Sequence, residues 1–430
     1  MHRKEASFDI TTENIGTLKT RILNWTRQFN ILVYLDSNGY SSGYDRYELL
    51  VGTGLYKTIS ESSVLTPGTP SPDTKGNWIL GHICYDYKNV IEPQLYSKHN
   101  IVMGFPVTRF FIPETVCTIN KMCTSLTINS INSPEDIWNA ILATSAHIDV
   151  SSIPQVSFTG DTDESTYKQH IDSLREHIRN GDCYEINYCT SGSAQLPSLP
   201  DATAVFHKLN TLSPAPFAAF YRWDDQYMWC ASPERYIQRD GDTIISQPIK
   251  GTARRDTDKA ADDAIRTQLA NDIKERAENI MIVDLVRNDL ARCCTPGSIQ
   301  VNELFGVYTF PQVHQLISTV SGTLKHGHEF ADIIHASFPM GSMTGAPKYK
   351  VMELIEHYEH FRRELFSGTV GYISPDGNFD FNVVIRSLYY NASSGILSYA
   401  TGGAITWDST PDGEWQEMHL KAWALKRIFT

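Results

Sequence analysis

The chain has 430 residues, 41% hydrophobic and 11% aromatic, which is ample for a core and excludes a disordered polymer. A formal charge of −12 excludes general attraction to nucleic acid or an anionic membrane, so an anionic substrate needs a local cluster of cations or a metal. MHRKEASFDI lacks the apolar run of a secretion signal, no later stretch reads as a bilayer span, and the eight cysteines show no zinc spacing, so free thiols in a reducing cytoplasm are expected.

The first third mixes short β-rich runs (NILVYLD, NWILGHICYDY, RFFIPETV) with turn-rich stretches such as TPGTPSPDTKGN. SSIPQVSFTGDTDES reads as a connection. It separates an N-terminal α/β part, residues 1–155, intertwined with the rest, from a catalytic domain over 156–430. STYKQHIDSLREHIRNG predicts a helix stopped at Gly181, and CYEINYCTSGSA a strand. MWCASPERYIQRDGDTIISQPIKG predicts a hairpin turning at Asp240-Gly241, and the segment from Asp256 to Cys293 two helices. FNVVIRSL reads as a strand-like run that Arg386 ends; GILSYATGGAIT reads as a strand and EWQEMHLKAWALKRIF as a helix. This irregular alternation predicts an α+β fold with large, mainly antiparallel sheets.

Two acidic pairs stand out, Glu275 with Glu278 and Glu414 with Glu417. A spacing of three places each pair on one helix face. If the faces converge they form an all-oxygen site suited to Mg²⁺; the commoner meaning of such pairs is a solvated face, with Glu417 and Lys421 an ordinary ion pair. ATGGAI, placed after a strand, and GSMTGAPKYK, leading into a helix, could offer backbone N–H groups to carboxylates, or be tight turns. Arg386 fits a snorkelling edge residue or a carboxylate fork, and Tyr372 a core or binding residue.

Lys250, in SQPIKGTARR, fits either a phosphate loop or a buried nucleophile. Glu234 lies on the other arm of the hairpin. A two-residue turn at Asp240-Gly241 sets Glu234 and Lys250 on opposite faces. A three-residue loop through Asp242 pairs Glu234 with Pro248 and brings both side chains to one face, and that loop is the expectation here.

Together the motifs GDCYEINYC, ASPERYI, PIKGTARR, AENIMIVDLVRNDLAR, FPMGSMTGAPK, GYISPDGNFDFNVVIRSL and EWQEMHLK resemble, in order and spacing, the chorismate-utilising enzymes. That family includes the synthase subunits of anthranilate and aminodeoxychorismate synthases and the isochorismate and salicylate synthases. The resemblance covers residues 160 to 425 and implies a sandwich of the sheets with helices outside. It implies that Glu278 and Glu417 hold Mg²⁺, with Glu275 and Glu414 supporting it through waters. It further implies that Arg386, Tyr372, Lys421 and the Gly402-Gly403 backbone clamp the two carboxylates of chorismate, with Gly251, Thr252 and Thr344 also at the substrate.

Within the family, isochorismate and salicylate synthases carry a water-activating lysine where this chain has Glu185, and anthranilate synthases show alanine where it has Lys250. A lysine there resembles the aminodeoxychorismate branch, with anthranilate synthase component I the alternative. The implied chemistry makes Lys250 a covalent nucleophile and Glu234 a proton donor, with burial and nearby cations expected to lower the lysine's pKa and neighbouring carboxylates to oppose that. No glutaminase motif or fused lyase is legible, so ammonia is expected from a separate glutamine amidotransferase subunit. Gln315 stands where the family often has histidine, with His314 one residue earlier, and YELLVG gives no ground to expect feedback by tryptophan.

Overall fold

The structure, a computed structural model, describes residues 3–68, 75–199, 201–310 and 313–430. The central residues of TPGTPSPDTKGN lie outside them.

Two large sheets, antiparallel at every pairing, form the body of the molecule. The first runs, in spatial order, through Lys4–Asp9, Ser125–Ser130, Thr115–Asn120, Tyr47–Thr53, Ile31–Asp36, Phe217–Trp223, Gln226–Ser232, Ser387–Asn391, Ile396–Ile405, Glu185–Gln195 and Gly345–Ala346. The second runs through Ile249–Arg254, Val313–Thr323, Thr243–Gln247, Arg235–Asp240, Phe379–Asn382, Thr369–Ile373, Ile79–Ile83, Thr108–Ile112 and Lys57–Ile59. Strands from residues 1–155 therefore enter both sheets.

Alternation along single strands shows how the layers stack. Ala219, Tyr221, Met228 and Cys230 join the core shared with the second sheet, while their neighbours Ala218, Phe220, Trp229 and Ala231 join a core on the other side. That outer core includes Leu18 and Ile22 of helix Ile15–Trp25, and Val205 and Leu209 of helix Ala202–Leu212. Both faces being covered, these strands read as continuous apolar runs. The sheets approach closely: a Cβ at Gly52 would lie 2.6 Å from Leu80 across the gap.

The predicted helices form. Glu164–Arg179 ends just before Gly181, whose φ of +83° suits glycine, and the acidic segment splits into Lys259–Asn271 and Ile273–Cys293. Asp272 caps the second of these by accepting from the Glu275 N–H, and Pro411 opens helix Pro411–Lys426 under a Thr410 cap.

Three local expectations need correction. The ASPERYI run is not one arm of a simple hairpin: Gln226–Ser232 belongs to the first sheet and Arg235–Asp240 to the second, so Glu234 sits where the chain crosses between them. FNVVIRSL crosses likewise, from Phe379–Asn382 to Ser387–Asn391, and Arg386 bridges the crossing at φ +51° rather than ending a strand. ATGGAI lies inside strand Ile396–Ile405, where Gly402 opposes Cys189 and Gly403 opposes Tyr188. Both crossings run side by side, tied by Val383 N–H to Glu234 O at 3.0 Å and Ala231 N–H to Arg386 O at 3.1 Å.

Candidate active site

Lys250 is aimed by an irregularity in its strand. Ile249 opposes Ile317 but Thr252 opposes Gln315, so an extra residue is inserted around Lys250 and Gly251. Gly251 takes φ +89°, and a Cβ there would lie 3.1 Å from Glu275 Oε2. Such a bulge redirects a side chain. Here it sends the lysine into a buried chamber, where Nζ donates to Glu185 Oε1 at 2.5 Å. Lys250 is 9% exposed and Glu185 1%.

Glu234 reaches the same chamber, but not by the loop expected. The turn is two residues, Gly241-Asp242, with Asp240 opposite Thr243; a bulge between Arg235 and Gln238 then shifts the register so that Arg235 opposes Gln247. Carried one residue further, that register sets Glu234 against Pro248, as a three-residue loop would have done. The slip that matters is supplied by the bulge, a feature with no strong sequence signature. Glu234 and Lys250 feel each other's charge.

Electrostatics divide the chamber. Burial pushes the Glu234 carboxyl up to about 7, against the pull of Ser342, Lys250 and Arg386. Burial also raises Glu278 to about 7, with Lys250 opposing and the charges of Glu185 and Glu275 adding to the rise. For Lys250, burial pulls the ammonium down, but Glu185, Glu278 and Glu234 outweigh it and hold it above its ordinary value. The expectation of a lowered lysine is corrected: three carboxylates win over desolvation. Burial lowers Arg386, which has Glu234 as its charged neighbour; its guanidinium makes no hydrogen bond or ion pair among the described residues.

The two glutamate-bearing helices converge. Glu275 is raised by burial and by the charge of Glu417, among others, and Lys274 lies in the field of Glu278, Glu414, Glu275 and Glu417 together. Burial raises Glu414, whereas Lys421 lowers Glu417. A Cβ on Gly403 would lie 3.1 Å from Glu414 Oε2 and 3.7 Å from both Glu417 Oε1 and Lys421 Nζ. Beyond Tyr399 the strand Ile396–Ile405 has one neighbour only, and on its free edge Lys421 donates to Gly402 O at 2.9 Å while pairing with Glu417 at 2.7 Å. Among the described residues no three acidic, histidine or cysteine side chains are drawn into a ready metal cluster. The donor chemistry nonetheless fits a hard divalent cation: four carboxylates from two facing helices, several raised by one another's charge.

One expected residue, Tyr372, stands apart. Tyr372 packs on Tyr47 and Trp78, ring centroids 5.8 and 5.9 Å away, in a chamber lined also by Asp45, Arg46 and Asp380. The face a strand residue takes depends on its sheet neighbours, here Leu80 and Asp380. Thr344 is fully buried and its hydroxyl donates to Met340 O at 3.0 Å, so it shapes the FPMGSMTG loop. Thr252 is exposed and accepts from Gln315 Nε2 at 3.3 Å. His314 is taken up by Asp262, 3.0 Å away, on helix Lys259–Asn271.

Ser342 and Lys274 are participants not singled out from the sequence, where Glu185 enters only as the position that lacks a water-activating lysine. Glu185 is the direct partner of Lys250, Ser342 stands beside Glu234, and Lys274 reaches into the glutamates. Lys274 could have been found from its spacing of four to Glu278; the Nζ to Oε1 distance is 3.8 Å. The other two come from segments distant in sequence.

A profile of the chorismate binding enzyme family matches residues 54–427, and the chain belongs to that family. It is a chorismate-utilising enzyme. It is 34% identical over 354 residues to an anthranilate synthase component I-like protein of Synechocystis, covering 81% of this chain and 72% of the relative. It is 31% identical over 370 residues to aminodeoxychorismate synthase component 1 of Bacillus subtilis, covering 83% and 77%. With the Salmonella typhimurium aminodeoxychorismate synthase component 1 it shares 41% identity over 251 residues, 58% of this chain and 54% of that one. Anthranilate synthase component I of Streptococcus pneumoniae has the same fold, with a TM-score of 0.76 at 23% identity over 90% of this chain and 94% of the other.

Proposed function

We propose that the chain is the chorismate-aminating component of an aminodeoxychorismate synthase, replacing the C4 hydroxyl of chorismate with ammonia to give 4-amino-4-deoxychorismate for 4-aminobenzoate and folate synthesis. The observation that carries this reading is Lys250, turned by a bulge to a buried position against Glu185 and in the field of Glu234, whose other cationic neighbour Arg386 makes no side-chain hydrogen bond among the described residues. Identities of 31 to 43% to bacterial aminodeoxychorismate synthase components support it.

In this reading the Lys250 amine attacks C2 as the C4 hydroxyl leaves, and Glu234, protonated up to about pH 7, gives the departing oxygen its proton. Ammonia then adds at C4 and expels the lysine. Two allylic displacements replace one difficult substitution. Arg386, Lys421 and the Gly402-Gly403 edge receive the substrate carboxylates, next to Gly251. Glu278 and Glu417 would hold Mg²⁺, with Glu275 and Glu414 supporting through waters; the ion, when bound, supplies Lewis-acid polarisation at the ring carboxylate. A separate glutamine amidotransferase subunit supplies ammonia, in keeping with the relatives' designation as component 1, and the setting is the cytoplasm.

A second reading, anthranilate synthase component I, is favoured by the Synechocystis relative. Mass spectrometry of the product from chorismate, Mg²⁺ and ammonium decides between them. Aminodeoxychorismate is expected; anthranilate would refute the proposal.

A further inference from the structure

Glu185 opens strand Glu185–Gln195 opposite Ala346 and is left without a task by the reaction outlined above. One carboxylate oxygen lies 2.5 Å from Lys250 Nζ, and the other is buried with no hydrogen-bond partner among the described residues. The charged groups facing Lys250 from other elements are Glu278 and Glu234, with Glu275 and Glu417 also in its field. Of these carboxylates only Glu185 is hydrogen-bonded to Nζ among the described residues. A lysine held as an ammonium cannot attack until a base removes one proton.

Resting on the reading that Lys250 is the nucleophile, we propose that Glu185 is the catalytic base that takes the proton from the Lys250 ammonium. The N–H bond breaks, the proton passes to a Glu185 oxygen, and the electron pair left on Nζ forms the bond to C2. When ammonia expels the lysine, the free amine takes the same proton back from Glu185. The pair therefore returns to ammonium and carboxylate with no net proton consumed.

The competing role, a counter-ion only, predicts the opposite sign for Glu185→Gln. Without a buried negative charge the amine frees itself more readily, so the amination rate at pH 7 would be unchanged or higher. The proposal expects that rate to fall by ~100-fold or more, the usual scale for losing a positioned base. An undiminished rate overturns it. Should the glutamine variant not fold, Glu185→Asp retracts the carboxylate by one methylene; a loss of about tenfold at an unchanged Tm is expected, and a wild-type rate overturns the proposal. Lys250→Ala run in parallel separates the layers. If Lys250→Ala still aminates, the lysine reading itself fails; if it is inactive while Glu185→Gln is not slowed, the base assignment alone fails.

Discussion

Two buried polar clusters lie on the second sheet, and they differ in how completely their groups are paired. Around Arg235, wholly buried, the hydrogen bonding is complete: its guanidinium pairs with Asp45 at 2.7 Å and Asp380 at 3.0 Å. Its other contacts, to Ser42 and Gln247, complete the set of donors. Around Lys250, the second residue of strand Ile249–Arg254, a single lysine faces several carboxylates, and among the described residues a Glu185 oxygen and the Arg386 guanidinium have no hydrogen-bond partner. The first arrangement holds the loop around residue 45 to the sheet. The second leaves charge and hydrogen-bonding capacity open, the state of a site that awaits a charged ligand.

Substitutions sharpen that contrast. Lys250→Ala should cut aminodeoxychorismate formation by more than ~1000-fold, read by product chromatography, because the proposed adduct forms on the Lys250 amine. Arg235→Ala should act on stability instead: it strands Asp45 and Asp380 as buried unpaired carboxylates, costing about 3–5 kcal/mol in denaturant unfolding. Equal stability losses at the two positions would erase the distinction.

Glu278→Gln tests the incompletely paired side by pH. The folded carboxyl titrates at about 7 against an ordinary 4.5, so between these values the folded chain binds more protons than the unfolded one. Wild-type stability should therefore fall as pH rises through that window. The variant escapes this loss, so its advantage in metal-free unfolding should grow from near zero below pH 4.5 to ~3 kcal/mol above pH 7. A constant difference would show that Glu278 is not shifted. Tyr372→Phe, in the chamber with Arg46 and Asp380, should change amination less than about threefold, under 1 kcal/mol of barrier. A large loss would return Tyr372 to the substrate clamp.

What the sequence disclosed follows the same division. Helices and buried strands were legible because their apolar runs are long, and the spacing of Glu275 with Glu278 and Glu414 with Glu417 fixed one face of each helix. Convergence of those faces depends on how the helices dock, which the spacing alone does not contain. The side-by-side crossings that bring Glu234 and Arg386 together were hidden, since each reads as uninterrupted strand. Strand faces were hardest: with both faces of a sheet buried there is no polar alternation to read, so a bulge decided Glu234 and the sheet neighbours decided Tyr372.

The covalent role of Lys250 can be read directly on the protein. Wild-type enzyme is mixed with chorismate and Mg²⁺ without ammonium, quenched within a turnover and digested for mass spectrometry. The account predicts that the peptide carrying Lys250 gains the mass of chorismate less one water, and that Lys250→Ala gains none. An unmodified Lys250 peptide from enzyme that aminates chorismate once ammonium is added, or the same adduct on another residue, would contradict it.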